Sequence, residues 1–213
     1  MEYSRRLARV PDSYFGKTMG QEVKHGPLPL INMAVGMPDG ETPRGILDTF
    51  AEALYQPENQ KYGAFHGKAT FKQAITQFYK RHYDVDLDPE EEVCILYGTK
   101  NGLVSLPTSI VNPGENVLLP DPGYTDYLAG VLLADAVPVP LQLDPPHYLP
   151  DWTRVPSDII SNTKLVYLTY PNNPTGSVAT LETFEEAIQL FKNTPTRIVH
   201  DFAYSAFGFD APN

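Results

Sequence analysis

Apolar positions recur every three or four residues in the first half of the chain and give way to short apolar runs in the second. Over 43–55, Ile46, Leu47, Phe50, Ala53 and Leu54 share one helical face, and Pro43 stands where a helix can begin. The pattern predicts an amphipathic helix. Over 69–83, Phe71, Ile75, Phe78 and Tyr79 form an apolar face, opposed by Lys72, Gln73, Lys80 and Arg81. From residue 93 onward, apolar runs alternate with helix-length segments, which predicts α/β layers. Strands are expected at 93–97, 116–120, 136–143, 164–170 and 197–202, and helices near 102–111, 124–135 and 180–193. Thr180 can cap the last helix, with Glu182, Glu185 and Glu186 in its early turns and Lys192 near its end. Pro138 and Pro140 have no N–H to give a ladder, which puts the third strand at a sheet edge. Residues 1–30 mix charge with glycine and proline without a sustained period and read as an arm that packs on something else.

Composition narrows the partners. The chain has 213 residues, 42% hydrophobic and 20% charged, a balance that supports a folded core. A net charge of -10, without clustered Lys and Arg, argues against nucleic acid and leaves small molecules as the expected ligands. Cys94 is the single cysteine and no disulfide framework can be drawn, as suits a reducing cytoplasm. The charged start MEYSRRLARV has no apolar signal core, and no apolar run reaches membrane-spanning length, so neither secretion nor membrane insertion is expected.

The chemistry is written at the ends of the expected strands. Tyr97-Gly98-Thr99-Lys100 leads from the first into a helix, a place where backbone N–H groups receive phosphate. Neither a G-x-G-x-x-G nor a G-x-x-x-x-G-K-[ST] pattern accompanies it. Pro120-Asp121-Pro122-Gly123-Tyr124 delivers an aromatic ring that can stack on a planar ligand or simply pack at a helix start. Tyr170-Pro171-Asn172-Asn173-Pro174-Thr175-Gly176 is a rigid polar turn whose amides can donate. In His200-Asp201-Phe202-Ala203-Tyr204, an acid inside an apolar strand needs either a structural partner or a cationic ligand atom. His200 is out of phase with Asp201 and is expected to pack on the opposite side. His25, His66, His82 and His147 show no metal-ligand spacing.

Together and in this order, these four segments resemble the class I/II (fold type I) pyridoxal-5'-phosphate aminotransferases, from about residue 30 to the end of the chain. The resemblance implies a three-layer α/β/α large domain like that of aspartate aminotransferase, incomplete here. It divides the chain into an arm with a small-domain segment (1–42) and a cofactor-binding domain (43–213). In the family's pattern, Gly98, Thr99 and Lys100 hold the cofactor phosphate, Tyr124 stacks on its ring, Asn173 and Tyr204 bond the ring's 3'-oxygen, and Asp201 pairs with the ring nitrogen. Gly36, in Ala34-Val35-Gly36-Met37-Pro38-Asp39, would lie beside the substrate carboxylate. Tyr62, in Gln60-Lys61-Tyr62-Gly63, would reach the phosphate of a partner subunit, which implies a homodimer. The family's Schiff-base lysine falls about thirty residues past the strand-five aspartate, beyond Asn213, so the chain alone is expected to be inactive. Tyr170 and Phe202 depart from common family residues and suggest a subgroup related to enzymes of methionine, aromatic or diaminopimelate-type amino acids. A carbon-sulfur β-lyase is the alternative enzyme class. A non-enzymatic pyridoxal-phosphate-binding regulator would need a basic winged-helix segment, and the N-terminus offers none.

Overall fold

The computed structural model describes residues 2–12, 16–17, 26–27, 31, 36, 38 and 40–208. The chain falls into two compact units, one of Met1–Met19 with Gly98–Asn213 and one of Gly20–Tyr97. In chain order the helices and strands are α1 (Arg5–Arg9), α2 (Arg44–Leu54), α3 (Ala69–Tyr83), α4 (Thr99–Ile110), β1 (Asn116–Asp121), α5 (Asp126–Leu133), β2 (Val137–Gln142), α6 (Ser157–Asn162), β3 (Thr163–Thr169), α7 (Leu181–Phe191) and β4 (Arg197–Asp201). No helix among the described residues is long and apolar enough to cross a membrane.

The larger unit is built on a four-stranded sheet of order β2-β1-β3-β4, parallel throughout. Both faces are covered, as parallel sheets require. Val117, Leu165 and Tyr167 point to one face and pack with Tyr127 and Val131 of α5 and with Leu103 and Leu106 of α4. Leu118, Val166 and Leu168 point to the other and meet Ala187 and Phe191 of α7. The two-residue alternation of strands produces these three layers. On the first face α4 and α5 approach closely: a Cβ built on Gly130 would stand 2.6 Å from the carbonyl oxygen of Val104. α1 packs on the end of α5, where Arg9 pairs with Asp135 at 2.9 Å. Most of residues 13–30 lie outside the described residues.

β2 is an edge strand, as its prolines predict. The N–H groups of Val137 and Leu143 donate inward, to Glu115 and Asp121. Donors alternate sides along a strand, so residues 138 and 140 are those whose N–H would face outward. Proline therefore costs no ladder bond at either position.

One expected strand is missing. Residues 93–97 form no ladder, and Cys94, Leu96 and Tyr97 are exposed. A strand exists through its hydrogen-bonded neighbour, and no described strand pairs with this run. The smaller unit differs from expectation in a second way. On α3, Lys72 rather than the aromatic stripe is buried, at 2% exposure and 3.2 Å from Glu90, while Phe71 and Phe78 are exposed. Ile46, Leu47, Phe50 and Leu54 of α2 are exposed too, so the apolar face is uncovered on α2 and, apart from the half-buried Ile75, on α3.

Candidate functional site

β1, β3 and β4 run in the same direction, so their carboxyl ends and the turns after them gather at one edge of the sheet. That edge is where open parallel α/β sheets bind ligands. Asp201 is the last residue of β4, half-buried, in phase with Val199 and so on the face covered by α4 and α5. Its Oδ2 accepts from the Tyr127 hydroxyl at 2.7 Å, and that hydroxyl also lies 2.5 Å from Thr169 Oγ1. Thr169 stands opposite Asp201 in the β3–β4 register. The Tyr127 ring stacks on Tyr167 at 4.5 Å, and the Tyr167 hydroxyl donates to the Leu103 carbonyl at 2.8 Å. Burial drives the Tyr127 phenol far above its ordinary range, so it stays protonated and able to donate.

Tyr124 precedes α5 and is half-buried, its ring set edge-on to Tyr127 at 5.5 Å. Burial raises its phenol as well. Lys100, in the first turn of α4, reaches Asp126 Oδ2 at 2.5 Å and lies 6.0 Å over the Tyr124 ring. The neighbouring Asp126 carboxylate holds the Lys100 ammonium pKa up. Gly98 precedes α4 with φ 80°, a left-handed conformation suited to glycine, and Gly98, Thr99 and Lys100 are all exposed. Asn173 donates from Nδ2 to the Tyr204 hydroxyl at 3.2 Å.

The structure thus links Lys100 to Tyr124 directly, Tyr124 to Asp201 through Tyr127, and Asn173 to Tyr204. Gly36 and Tyr62 belong to the other compact unit, both exposed. His200 lies on the opposite sheet face from Asp201, its Nε2 3.0 Å from the Tyr170 carbonyl oxygen and its ring between Phe184 and Phe202. A cavity of about 870 Å³ opens against Lys100, Tyr124, Asp126, Leu128 and Pro138, but Asp201, Asn173 and Tyr204 are not among its walls.

Sequence reasoning missed Tyr127 and Thr169. A tyrosine in the apolar helix DYLAGVLL reads as core, although its place three residues after Tyr124 puts the two rings on neighbouring positions. Thr169 reads as one more strand residue, and only the register reveals its neighbour.

The sequence model described as "Aminotransferase class I and II" matches residues 29–213. L-Glutamine–4-(methylsulfanyl)-2-oxobutanoate aminotransferase of Bacillus subtilis is 44% identical over 98% of this chain and 53% of its own length. LL-diaminopimelate aminotransferase of Aquifex aeolicus is 38% identical over 96% of the chain and 54% of its own. A solved aminotransferase from Staphylococcus aureus, 71% identical, superposes with a TM-score of 0.93 over 99% of this chain and 54% of that one. The chain spans about half the length of these relatives. Aminotransferases of this kind depend on pyridoxal phosphate, and their fold is the one found here, in part. Relatives this similar over nearly the whole sequence, and a family match from residue 29 to residue 213, leave one assignment: the chain belongs to the class I and II aminotransferases.

Proposed function

We propose that this chain is the N-terminal, cofactor-holding half of a pyridoxal-phosphate-dependent enzyme that moves an amino group between an amino acid and a 2-oxo acid. One observation carries the reading. A carboxylate, Asp201, sits at the carboxyl end of a parallel strand with one oxygen held by Tyr127, on the same sheet face as the aromatic Tyr124. The residues suit the cofactor in kind: exposed first-turn N–H groups after Gly98 for a phosphate, a fixed ring for stacking, and an anion for a cationic ring nitrogen.

When bound, pyridoxal phosphate supplies an electron sink for charge developing at the substrate's α-carbon. The chain's own residues do the rest of what this half contributes. Gly98, Thr99 and Lys100 bind the phosphate, Tyr124 orients the ring, and Asn173 with Tyr204 bonds its 3'-oxygen. Asp201 holds a proton on the ring nitrogen, because a close opposite charge favours the charged form. Gly36 lies by the substrate carboxylate. Tyr62, fully exposed, serves the phosphate of a second subunit in a homodimer. The Schiff-base lysine lies beyond Asn213. The division into 1–42 and 43–213 belongs to the same proposal, as do a cytoplasmic setting, in keeping with a single cysteine, and a part in amino-acid biosynthesis.

The names of the relatives favour transamination over carbon-sulfur elimination and make glutamine and LL-diaminopimelate the donors to try first. Product analysis of the full-length protein separates the two: a new amino acid and a 2-oxo acid, against pyruvate, ammonia and a thiol. The decisive variant is Asp201→Ala in the full-length protein. Turnover should fall by orders of magnitude while pyridoxal phosphate remains partly bound through the phosphate turn. Activity within a few-fold of the parent would refute the assignment.

A further inference from the structure

We infer that Tyr127 and Thr169 are positioning residues, a one-way hydrogen-bond chain that fixes the Asp201 carboxylate for the cationic nitrogen it serves. The inference rests on the reading of Asp201 given above. A carboxylate only accepts, and a tyrosine has a single O–H proton. With Tyr127 giving its proton to Asp201 Oδ2 at 2.7 Å, the 2.5 Å contact with Thr169 must run from the threonine hydroxyl to the tyrosine oxygen. The order is therefore Thr169 to Tyr127 to Asp201, and each donor in such a chain polarises the next.

Both donors are anchored. Thr169 is 2% exposed and faces Asp201 in the strand register. Tyr127 is 1% exposed, and its ring lies nearly parallel to Tyr167, 12° between planes, with Tyr167 itself tied to the Leu103 carbonyl. Burial keeps the Tyr127 phenol protonated throughout the working pH range, so the donor is never withdrawn. The chain engages Oδ2 and assigns Oδ1 to the ligand. An acid held by one oxygen must break that hydrogen bond to rotate away from its partner, which is the service a rigid neighbour gives a reacting group.

The test uses the full-length protein loaded with cofactor labelled by ¹⁵N in the ring. In Y127F the ring-nitrogen chemical shift should move toward that of unprotonated pyridine, and kcat should fall about tenfold with KM within about twofold, as for loss of a hydrogen bond to a charged group. T169V, which keeps nearly the same shape, should move both readouts the same way by less, and T169S should match the parent. The double variant should be no worse than Y127F alone, because Thr169 acts through Tyr127. A parental shift and kcat in Y127F, or independent and multiplying effects of the two substitutions, would overturn the inference. If Y127F does not fold, T169V against T169S decides by the same readouts. Asp201→Ala separates the levels: its indifference defeats the functional reading, while a severe Asp201→Ala beside a silent Y127F defeats only the positioning chain.

Discussion

Gly130 shows how much one missing side chain can decide. It sits in α5 where the helix meets α4, and a methyl group there would lie 2.6 Å from the Val104 carbonyl oxygen and 3.0 Å from its Cα. Backbone cannot swing aside as a side chain can, so Gly130→Ala must part the helices that carry Lys100 and Tyr127. Better helix propensity does not offset that. The expected loss is about 1–3 kcal/mol, the usual cost of overpacking, read as a lower denaturant midpoint with an unchanged slope. An unshifted midpoint would mean that the helices close up elsewhere. At this scale the sequence discloses what is chemically out of place. Asp201 stands out as an acid in an apolar strand, and Gly98 as a glycine before a helix. Tyr127 and Gly130 do not stand out, because an aromatic and a small residue in an apolar helix are ordinary core composition until the neighbouring element is known.

Among elements, the strands whose partners lie within the described residues were legible. The runs expected at 116–120, 164–170 and 197–202 appear as 116–121, 163–169 and 197–201, since apolar alternation and flanking turns are local signals. The helix expected near 102–111 starts three residues earlier, at Thr99, because Gly98 ends the preceding backbone path. The run 93–97 has the same local signal and no ladder, which shows that pattern proposes a strand but pairing makes it. Hydrogen exchange on this chain should follow the pairing. Amides of β3, paired on both sides and buried along most of its length, should be the slowest, and those of 93–97 should exchange within the fastest class. Protection at 93–97 equal to that of β3 would reveal a partner for the run.

For the whole molecule, the apolar faces of α2 and α3 set the behaviour of the isolated chain. Ile46, Phe50, Phe71 and Phe78 are each about half or more exposed, and surfaces of that kind seek cover. The chain alone should associate as its concentration rises, seen by light scattering. On the proposed reading it should also turn over no amino donor when pyridoxal phosphate is added, and adding the other half of the protein should reverse both results. A monomeric, cooperative melt would contradict the first expectation and measurable turnover the second. The prolines of β2 carry this further. Their missing donors lie on the outer rim of the sheet, so a strand arriving beside β2 finds carbonyls there but no N–H at residue 138 or residue 140 to donate to it. The sheet is a template with one end blunted: the rim past β4, on the side that ends in Asp201, has no proline and keeps its donors, so a strand recruited later finds its fuller ladder next to the chemistry.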